Sequence, residues 1–346
     1  MPKTPHRTPS PSSSATLADV SKVAGVSTAT VSRCLNSPSQ VSPSTRERVM
    51  KAVDDLGYAP NFGAQALAAK RTNTFGAIVP TMENAIFARC LQALQEALAE
   101  QGITLLVASS SYDRDLEETQ IRNLVARGAD ALFLIGHDRT PSSYRFLQQR
   151  QIPVVAAWVF EPQEPRVSVG FDNRKAMKMI AAEVLAHGHQ RLALITGERA
   201  GNDRARQRYE GAMDALRAKG MTAADLQVVE TGYSITQGGA AFSQLMQSAM
   251  PPTAVMCGND VLAAGAIGMA RKLGISVPQD VSITGFDDIE IAEIVTPGLT
   301  TVHVPHRKMG RHAAAALIAM RNEGDAGESI ELETRLVRRG SLGTAP

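Results

Sequence analysis

The chain has 346 residues, 44% of them hydrophobic and 20% charged, with a formal net charge of +2. One hydrophobic core usually stops growing near about 250–300 residues, so two or three units are expected, of ordinary soluble composition; no apolar run approaches the roughly 18 residues of a membrane span. Three scattered cysteines, Cys34, Cys90 and Cys257, without a Cys-x-x-Cys pair argue against a disulfide framework and a zinc site and fit a reducing cytoplasm.

The first fifteen residues, "MPKTPHRTPSPSSSA", are rich in Pro, Ser and Thr and lack the apolar stretch of a signal peptide. They read as a disordered tail, and export is not expected. Charge is unevenly spread. Residues 1–71 hold nine Lys and Arg against four Asp and Glu, leaving 27 against 30 for the remainder. A basic small segment is the footprint of a polyanion binder, and on charge alone equally of a solvated basic terminus.

Thr16 reads as an N-cap, after which Leu17, Val20 and Ala24 recur with the spacing of a short helix that buries one stripe. Gly25 stops it, "GVS" makes the turn, and Ser27 caps a second helix. On that helix Val31, Cys34 and Leu35 fall on one side and Thr28, Ala29, Ser32 and Arg33 on the other. The outer side is small where a surface must approach and carries one long cation. "SPSTRERVMKAVDDLGY" adds a third helix, with Val49, Val53 and Leu56 completing the core. A helix-turn-helix of this shape lays its second helix in the major groove, where an Arg donates to guanine O6 and N7 while Ser27, Thr30 and Ser32 meet phosphates. Periodicity alone also permits a helical hairpin with no DNA role.

"TLADVSKVAGVSTATVSRCLN" followed by "VSPSTRERVMKAVDDLGYAPN" resembles the LacI/GalR family of bacterial transcription repressors, and the motif is highly specific. The resemblance implies that residues 16–60 bind DNA, with Thr28, Ala29 and Arg33 reading bases and Ser27, Thr30, Ser32, Asn36 and Tyr58 near phosphates. Ala29 departs from relatives with a longer polar side chain there, which reduces its contact to a thymine methyl. Residues 61–71, "NFGAQALAAKR", are too few to hold a helix alone in water and read as a linker. By the resemblance they form instead a hinge helix that folds when two copies pair on the operator. Leu67 is then the minor-groove wedge, with Ala64 beside it and Asn61 at the start.

From residue 72, short β-rich runs such as "FGAIVP", "ITLLVAS" and "ADALFLIG" alternate with amphipathic helical stretches, and the alternation repeats from "QRLALITG" to "VSITGFDD". That is the pattern of two doubly wound parallel-sheet lobes, which bind a ligand at the carboxyl ends of their strands. The family's core resembles periplasmic sugar-binding proteins in this way, with three crossings between lobes. Lobe 1 is assigned to about 72–169 and 300–324, lobe 2 to about 170–297 and 325–346. The expected fold is therefore an all-α helix-turn-helix headpiece plus an α/β core of the periplasmic-binding-protein type.

Read from the residues alone, Asn259 or Asp260 in "CGND" caps a helix, and Arg208 in "RYEG" is an exposed helix charge. The resemblance turns Arg208, Asn259 and Asp287 of "GFDD" into effector contacts. Tyr233, after "VVETG", sits where relatives place an aromatic wall. The sole tryptophan, Trp158, is a stacking platform or a core residue; Asp172 in "VGFDN" and Asn84 after "VPT" are weaker candidates. These groups suit a sugar, a sugar acid or a related metabolite. Arg208 and the similarity of "VGFDN" to gluconate-type repressors point to gluconate-like acids.

No nucleotide-binding, nucleophile-elbow or zincin motif is present, and the seven histidines lack metal spacing, so no catalysis, cofactor or metal is expected. The leading reading is an effector-controlled, cytoplasmic, DNA-binding repressor acting as a homodimer on a palindromic operator, with no membrane association. The tail carries no leucine heptad for a coiled-coil tetramer. The alternatives are a periplasmic-type solute-binding protein, which requires export and leaves residues 16–70 unexplained, and a sugar-acting enzyme, which requires an acid and base pair.

Overall fold

The computed structural model describes residues 15–36, 38–59, 71–83, 85–324 and 327–346. The chain divides into two compact units, Met1–Thr72 and Asn73–Pro346. Residues 1–14 of the expected tail and nearly all of the expected hinge, including Asn61, Ala64 and Leu67, lie outside the described residues.

The first unit contains α1 (Leu17–Ala24), α2 (Thr28–Asn36) and α3 (Pro43–Leu56). Thr16 and Asp19 form a reciprocal capping box, with the Asp19 N–H donating to Thr16 Oγ1 at 3.3 Å and the Thr16 N–H donating to Asp19 Oδ2 at 2.9 Å. Gly25 ends α1 in the left-handed region at φ 65°, a conformation glycine adopts without steric cost. Ser27 Oγ accepts from the Thr30 N–H at 3.1 Å, so the three-residue turn is closed at both ends. Val20, Ala24, Val31, Cys34, Val49 and Ala52 form the buried core, with Leu35, Val53, Leu56 and Tyr58 packed around it.

The second unit begins with β1 (Thr74–Val79), α4 (Ala85–Ala99), β2 (Thr104–Ser109), α5 (Arg114–Ala126), β3 (Ala131–Ile135), α6 (Pro141–Gln149), β4 (Val154–Ala157) and β5 (Ser168–Gly170). It continues through α7 (Asn173–Ala186), β6 (Leu192–Thr196), α8 (Asp203–Arg217), β7 (Leu226–Glu230), α9 (Ile235–Met246), β8 (Ala254–Cys257), α10 (Asp260–Leu273) and β9 (Ser282–Thr284). The last elements are α11 (Ile291–Ile294), β10 (Thr301–His303), α12 (His306–Glu323), β11 (Ile330–Glu331) and β12 (Arg335–Val337). One sheet runs β11-β5-β4-β3-β1-β2 and a second β7-β6-β8-β9, with parallel pairing in both.

Alternate residues enter opposite layers, as the two-residue period of a strand requires. In β3, Phe133 and Ile135 face one hydrophobic cluster while Leu132 and Leu134 face another. In β6, Leu192 and Leu194 oppose Ala193 and Ile195 in the same way. Both sheets are therefore covered on both faces, which is why their strands read as continuous apolar runs rather than alternating ones. Helices on these faces pack at backbone distance: a Cβ at Gly211 would overlap the Arg174 carbonyl of α7, and one at Gly310 the Cys90 carbonyl of α4.

The lobe boundaries differ from expectation at two places. β10 lies at the lobe 2 sheet, because Thr300 and His303 bridge to Thr284 and Asp287, so residues 300–303 are not part of lobe 1. β11 pairs in parallel with β5, so residues 330–331 belong to the lobe 1 sheet rather than to lobe 2, and β12 then pairs antiparallel with β10. The crossings fall after β5, after β10 and after β11.

Candidate functional site

On α2, Thr28, Ala29 and Arg33 are exposed and Ser32 is half-buried, while Val31 and Cys34 are buried beneath them. The helix thus presents a shallow outer face with one arginine standing above it. Ser27 Oγ and Thr30 Oγ1 lie 2.9 Å apart and bond to each other at the start of the helix. Tyr58 packs its ring against the headpiece core. The side chain of Asn36 lies outside the described residues.

In the second unit both sheets direct their carboxyl ends into the cleft between the lobes. The strand orders 2-1-3-4-5 and 2-1-3-4 each reverse direction beside their first strand, where doubly wound sheets form a crevice. The loops after β2, β4, β7, β8 and β9 supply Tyr112, Trp158, Tyr233, Asn259 and Asp287, and α8 supplies Arg208; together these side chains line a small chamber. Trp158 and Asp287 adopt φ values of 63° and 102°, in the left-handed region where non-glycine residues are strained. The geometry around Asp287 is held from several sides. Its N–H donates to the Val302 carbonyl at 2.9 Å, and buried Asp260 accepts from the Ile289 N–H at 2.8 Å and from Thr301 Oγ1 at 2.6 Å. Burial, with Asp287 close by, raises the Asp260 carboxyl well above the usual carboxylate range, against the two donors.

Arg208 is 5% exposed. It donates through Nε to Asn173 Oδ1 at 2.9 Å and through Nη1 to the Gly258 carbonyl, and stacks on the Phe286 ring at 3.8 Å. Its Nη2 lies 3.9 Å from Asp287 Oδ1. Burial lowers the Arg208 guanidinium below its ordinary value, partly offset by the Asp287 charge. Asn259 caps α10 by accepting from the Leu262 N–H at 2.9 Å, so the cap seen in the sequence and a place at the chamber wall belong to the same side chain. Its NH2 group remains as a donor.

Among the described residues, three buried polar atoms around this chamber make no hydrogen bond: Trp158 Nε1, and Asp287 Oδ1 and His306 Nε2, which lie 3.9 Å from each other. They come from a lobe 1 strand end, a lobe 2 strand end and the first turn of α12. A buried polar atom without a hydrogen bond costs roughly 1–3 kcal/mol, a cost that a polar group entering this place would recover.

Asp172 is not brought to the chamber. It caps α7, accepting from the Lys175 N–H at 2.9 Å, and its neighbour Asn173 takes the inward place, donating to the Trp158 carbonyl at 2.7 Å as well as accepting from Arg208. Asn84 lies outside the described residues. Sequence reading missed Tyr112, Asn202, Arg204 and His306. Tyr112 follows the "ITLLVAS" strand and was within reach of the strand-end rule; Asn202 and Arg204 sit in the "ERAGNDRARQR" run. His306 carries no local signal.

The lobes are tied directly to each other. The His137 N–H donates to Asp203, Arg206 donates to Asp138 Oδ2 at 2.8 Å, and Gln207 bonds Glu161. Burial would raise the Asp203 carboxyl, but Arg204 and the His137 N–H outweigh it and hold it below its ordinary value. Among the described residues no group of three or more His, Cys, Asp or Glu is arranged to hold a metal ion, and no helix is long and apolar enough to cross a membrane.

Comparison with known proteins matches the model "Bacterial regulatory proteins, lacI family" over residues 16–61 and "Periplasmic binding protein-like domain" over residues 181–342. The HTH-type transcriptional repressor CytR of Escherichia coli (strain K12) is 32% identical over 334 residues, covering 96% of this chain and 97% of the relative. The HTH-type transcriptional repressor PurR of Vibrio atlanticus is 31% identical, covering 95% and 99%. Among solved structures, a lac repressor dimer bound to operator and the anti-inducer ONPF is 26% identical, covering 96% of this chain and 100% of the other, with a TM-score of 0.83. A CelR–cellobiose complex is 28% identical, covering 94% and 99%, with a TM-score of 0.70. With the helix-turn-helix, the two parallel lobes and the chamber between them, these likenesses establish that the chain belongs to the lacI family of bacterial regulatory proteins and is a DNA-binding transcriptional regulator with a periplasmic-binding-protein-like effector domain.

Proposed function

We propose that this regulator is a cytoplasmic repressor acting as a homodimer on a palindromic operator, and that a sugar, sugar acid or related metabolite held between its lobes sets operator affinity. The observation that carries the effector reading is the trio of buried atoms that make no hydrogen bond among the described residues, Asp287 Oδ1, Trp158 Nε1 and His306 Nε2. An acceptor and an indole donor facing one small space suit a hydroxyl, which both donates and accepts. Arg208, the Asn259 NH2 and the Trp158 face complete a set suited to a polyhydroxylated ligand, and the CelR neighbour solved with cellobiose supports that size class.

Thr28, Ala29 and Arg33 read base edges, with the Arg33 fork on a guanine, and Ser27, Thr30 and Ser32 face phosphates. The exposure of the first three on α2 supports this. One such helix reads only a few base pairs, so a two-fold operator and two chains follow, as in the operator-bound lac repressor dimer.

The test selects duplexes from a random pool with the full chain, then measures anisotropy with and without sugars and sugar acids. A palindromic consensus, affinity that falls steeply with salt, and a ligand response lost in Asp287→Ala are expected. A protein indifferent to duplex DNA at low salt overturns the regulator assignment of these residues. A full ligand response in Asp287→Ala overturns the chamber.

A further inference from the structure

The chamber around Asp287 has a free volume of only about 30 Å³, room for roughly two waters. A much larger cleft of about 730 Å³, within the range of small-molecule pockets, lies between Ser111–Asp115 and Thr140 of lobe 1 and residues 197–198, 200–202 and 231–233 of lobe 2. The two spaces share three wall residues, Tyr112, Tyr233 and Asn202. Tyr112 reaches from lobe 1 and Tyr233 from lobe 2, their ring centroids 5.3 Å apart and their planes tilted by 33°.

We propose that Tyr112 and Tyr233 form a partition between an inner and an outer subsite, and that the effector is a two-unit polyhydroxylated molecule that parts them, with one end in each chamber. This rests on the effector reading above.

The inner chamber as it stands admits a hydroxyl but not a sugar ring, so a ligand engaging Asp287 and Trp158 must displace the tyrosines or leave most of itself outside them. A ring held between two aromatic faces needs about 3.5 Å to each, or about 7 Å between the rings, so the pair must separate before a ligand can span it. Each tyrosine is seated for such a role. Tyr112 has φ 62° and Ser111 φ 51°, consecutive residues in the strained left-handed region. Tyr233 lies against Gly197, where a Cβ would strike its ring carbons and hydroxyl, so only glycine leaves room for the ring in this position. The outer chamber offers polar side chains of its own, among them Glu198, Thr140 and Arg114, for the second unit.

Trp158 is the sole tryptophan and 2% exposed, so its emission reports on the inner chamber of the full-length protein. Two measurements test the proposal. First, quenching of Trp158 by acrylamide, which is too large for the closed inner chamber, is expected to be weak in the native protein, to rise several-fold in Tyr112→Ala and in Tyr233→Ala, and to return to the native level in Tyr112→Phe. Unchanged quenching in both alanine variants, with native thermal midpoints, overturns the partition. Secondly, Trp158 emission is titrated with glucose and gluconate as one-unit probes and with cellobiose and maltose as two-unit probes. At least one two-unit probe is expected to bind about tenfold more tightly than either one-unit probe, and Tyr233→Ala to remove that preference. Equal affinity for one- and two-unit probes overturns the two-chamber proposal and leaves the sugar-effector reading intact. No response to any of the four overturns the two-chamber proposal and a glucose-based effector with it, while the wider reading stands or falls by the Asp287→Ala measurement above.

Discussion

On α2 the side chains that face outward, Thr28, Ala29 and Arg33, are exposed and rest on a core made by other residues. In the interlobe chamber the corresponding side chains are buried and also hold the fold. Arg208 bonds Asn173 and the Gly258 carbonyl, Asn259 caps α10, and Asn173 ties Trp158 to Arg208. Reading a polymer from outside needs a stiff helix with interchangeable side chains. Enclosing a small molecule needs side chains that are fixed before it arrives, and fixing them uses the hydrogen bonds that also stabilise the lobes. Function is separable from stability in the first region and not in the second.

The largest effect that tests this contrast is on Arg208. Its removal leaves the Asp287 carboxylate buried without its cation and takes a donor from Gly258 and from Asn173. Breaking a buried pair from one side costs about 3–5 kcal/mol, so Arg208→Ala is expected to lower core stability by that amount in urea unfolding as well as to abolish the effector response. A variant of native stability that lacks only the response would show the chamber to be as separable as the headpiece.

Arg33→Ala is the converse case. The guanine contact proposed for Arg33 predicts a loss of about 1–3 kcal/mol of discrimination per half-site, read as operator affinity relative to random duplex. Because Arg33 is exposed, unfolding stability is expected to stay within about 0.5 kcal/mol of native. A destabilised Arg33→Ala with intact specificity would invert the comparison.

The same contrast decides what was legible beforehand. The headpiece is a local object: Thr16, Gly25, Ser27 and the Val20, Val31 and Val49 stripe lie within one short stretch, and each acts on its neighbours by rules of capping and period. The doubly wound lobes were legible too, since strands buried on both faces read as apolar runs between helices. The chamber is assembled from strand ends far apart in the chain, so its lining is legible in the sequence only where a family motif or a strand-end position marks it. In "GFDN" Asp172 caps α7 and Asn173 bonds Arg208, a division of roles that periodicity does not specify. The short strands β10 and β11 were assigned to the wrong lobes because two or three residues carry no periodicity, and their pairing is set by partners distant in sequence. His306 became visible only when α12 was placed against Trp158, their rings 5.8 Å apart.

A smaller effect separates exposure from dispensability within the headpiece. Thr16 is exposed, yet its hydroxyl and N–H close the capping box with Asp19, whose carboxyl the Thr16 hydroxyl and N–H hold below its ordinary value. Thr16→Ala is expected to cost the first unit about 1 kcal/mol, measured by amide hydrogen exchange across α1, and to leave the core's unfolding unchanged. Weakened protection in the core would couple the two units more tightly than their separate cores imply.

The smallest expected effect tests the same principle away from both sites, at His189. The imidazole is buried, with Nδ1 3.0 Å from Thr253 Oγ1 and Nε2 3.0 Å from the Gly343 carbonyl. The Gly343 carbonyl only accepts, so Nε2 carries a proton, while the Thr253 hydroxyl beside Nδ1 can either donate or accept. Burial lowers its ordinary value, opposed by the Gly343 hydrogen bond. A histidine held below its unfolded value contributes stability that is present above the unfolded value, near pH 6.5, and is lost as the pH falls through the lower folded value. The tail depends on this contact, since Gly343 lies between the Ser341 carbonyl, which accepts from Ile283, and the Ala345 N–H, which donates to His187. Thermal midpoints of the native protein are therefore expected to fall from pH 7 toward pH 5 with a slope that flattens in His189→Gln, and the amides of the last residues to lose protection first. An identical slope in the variant would mean that His189 does not titrate between the folded and unfolded chains, and that its hydrogen bonds hold the tail by geometry alone.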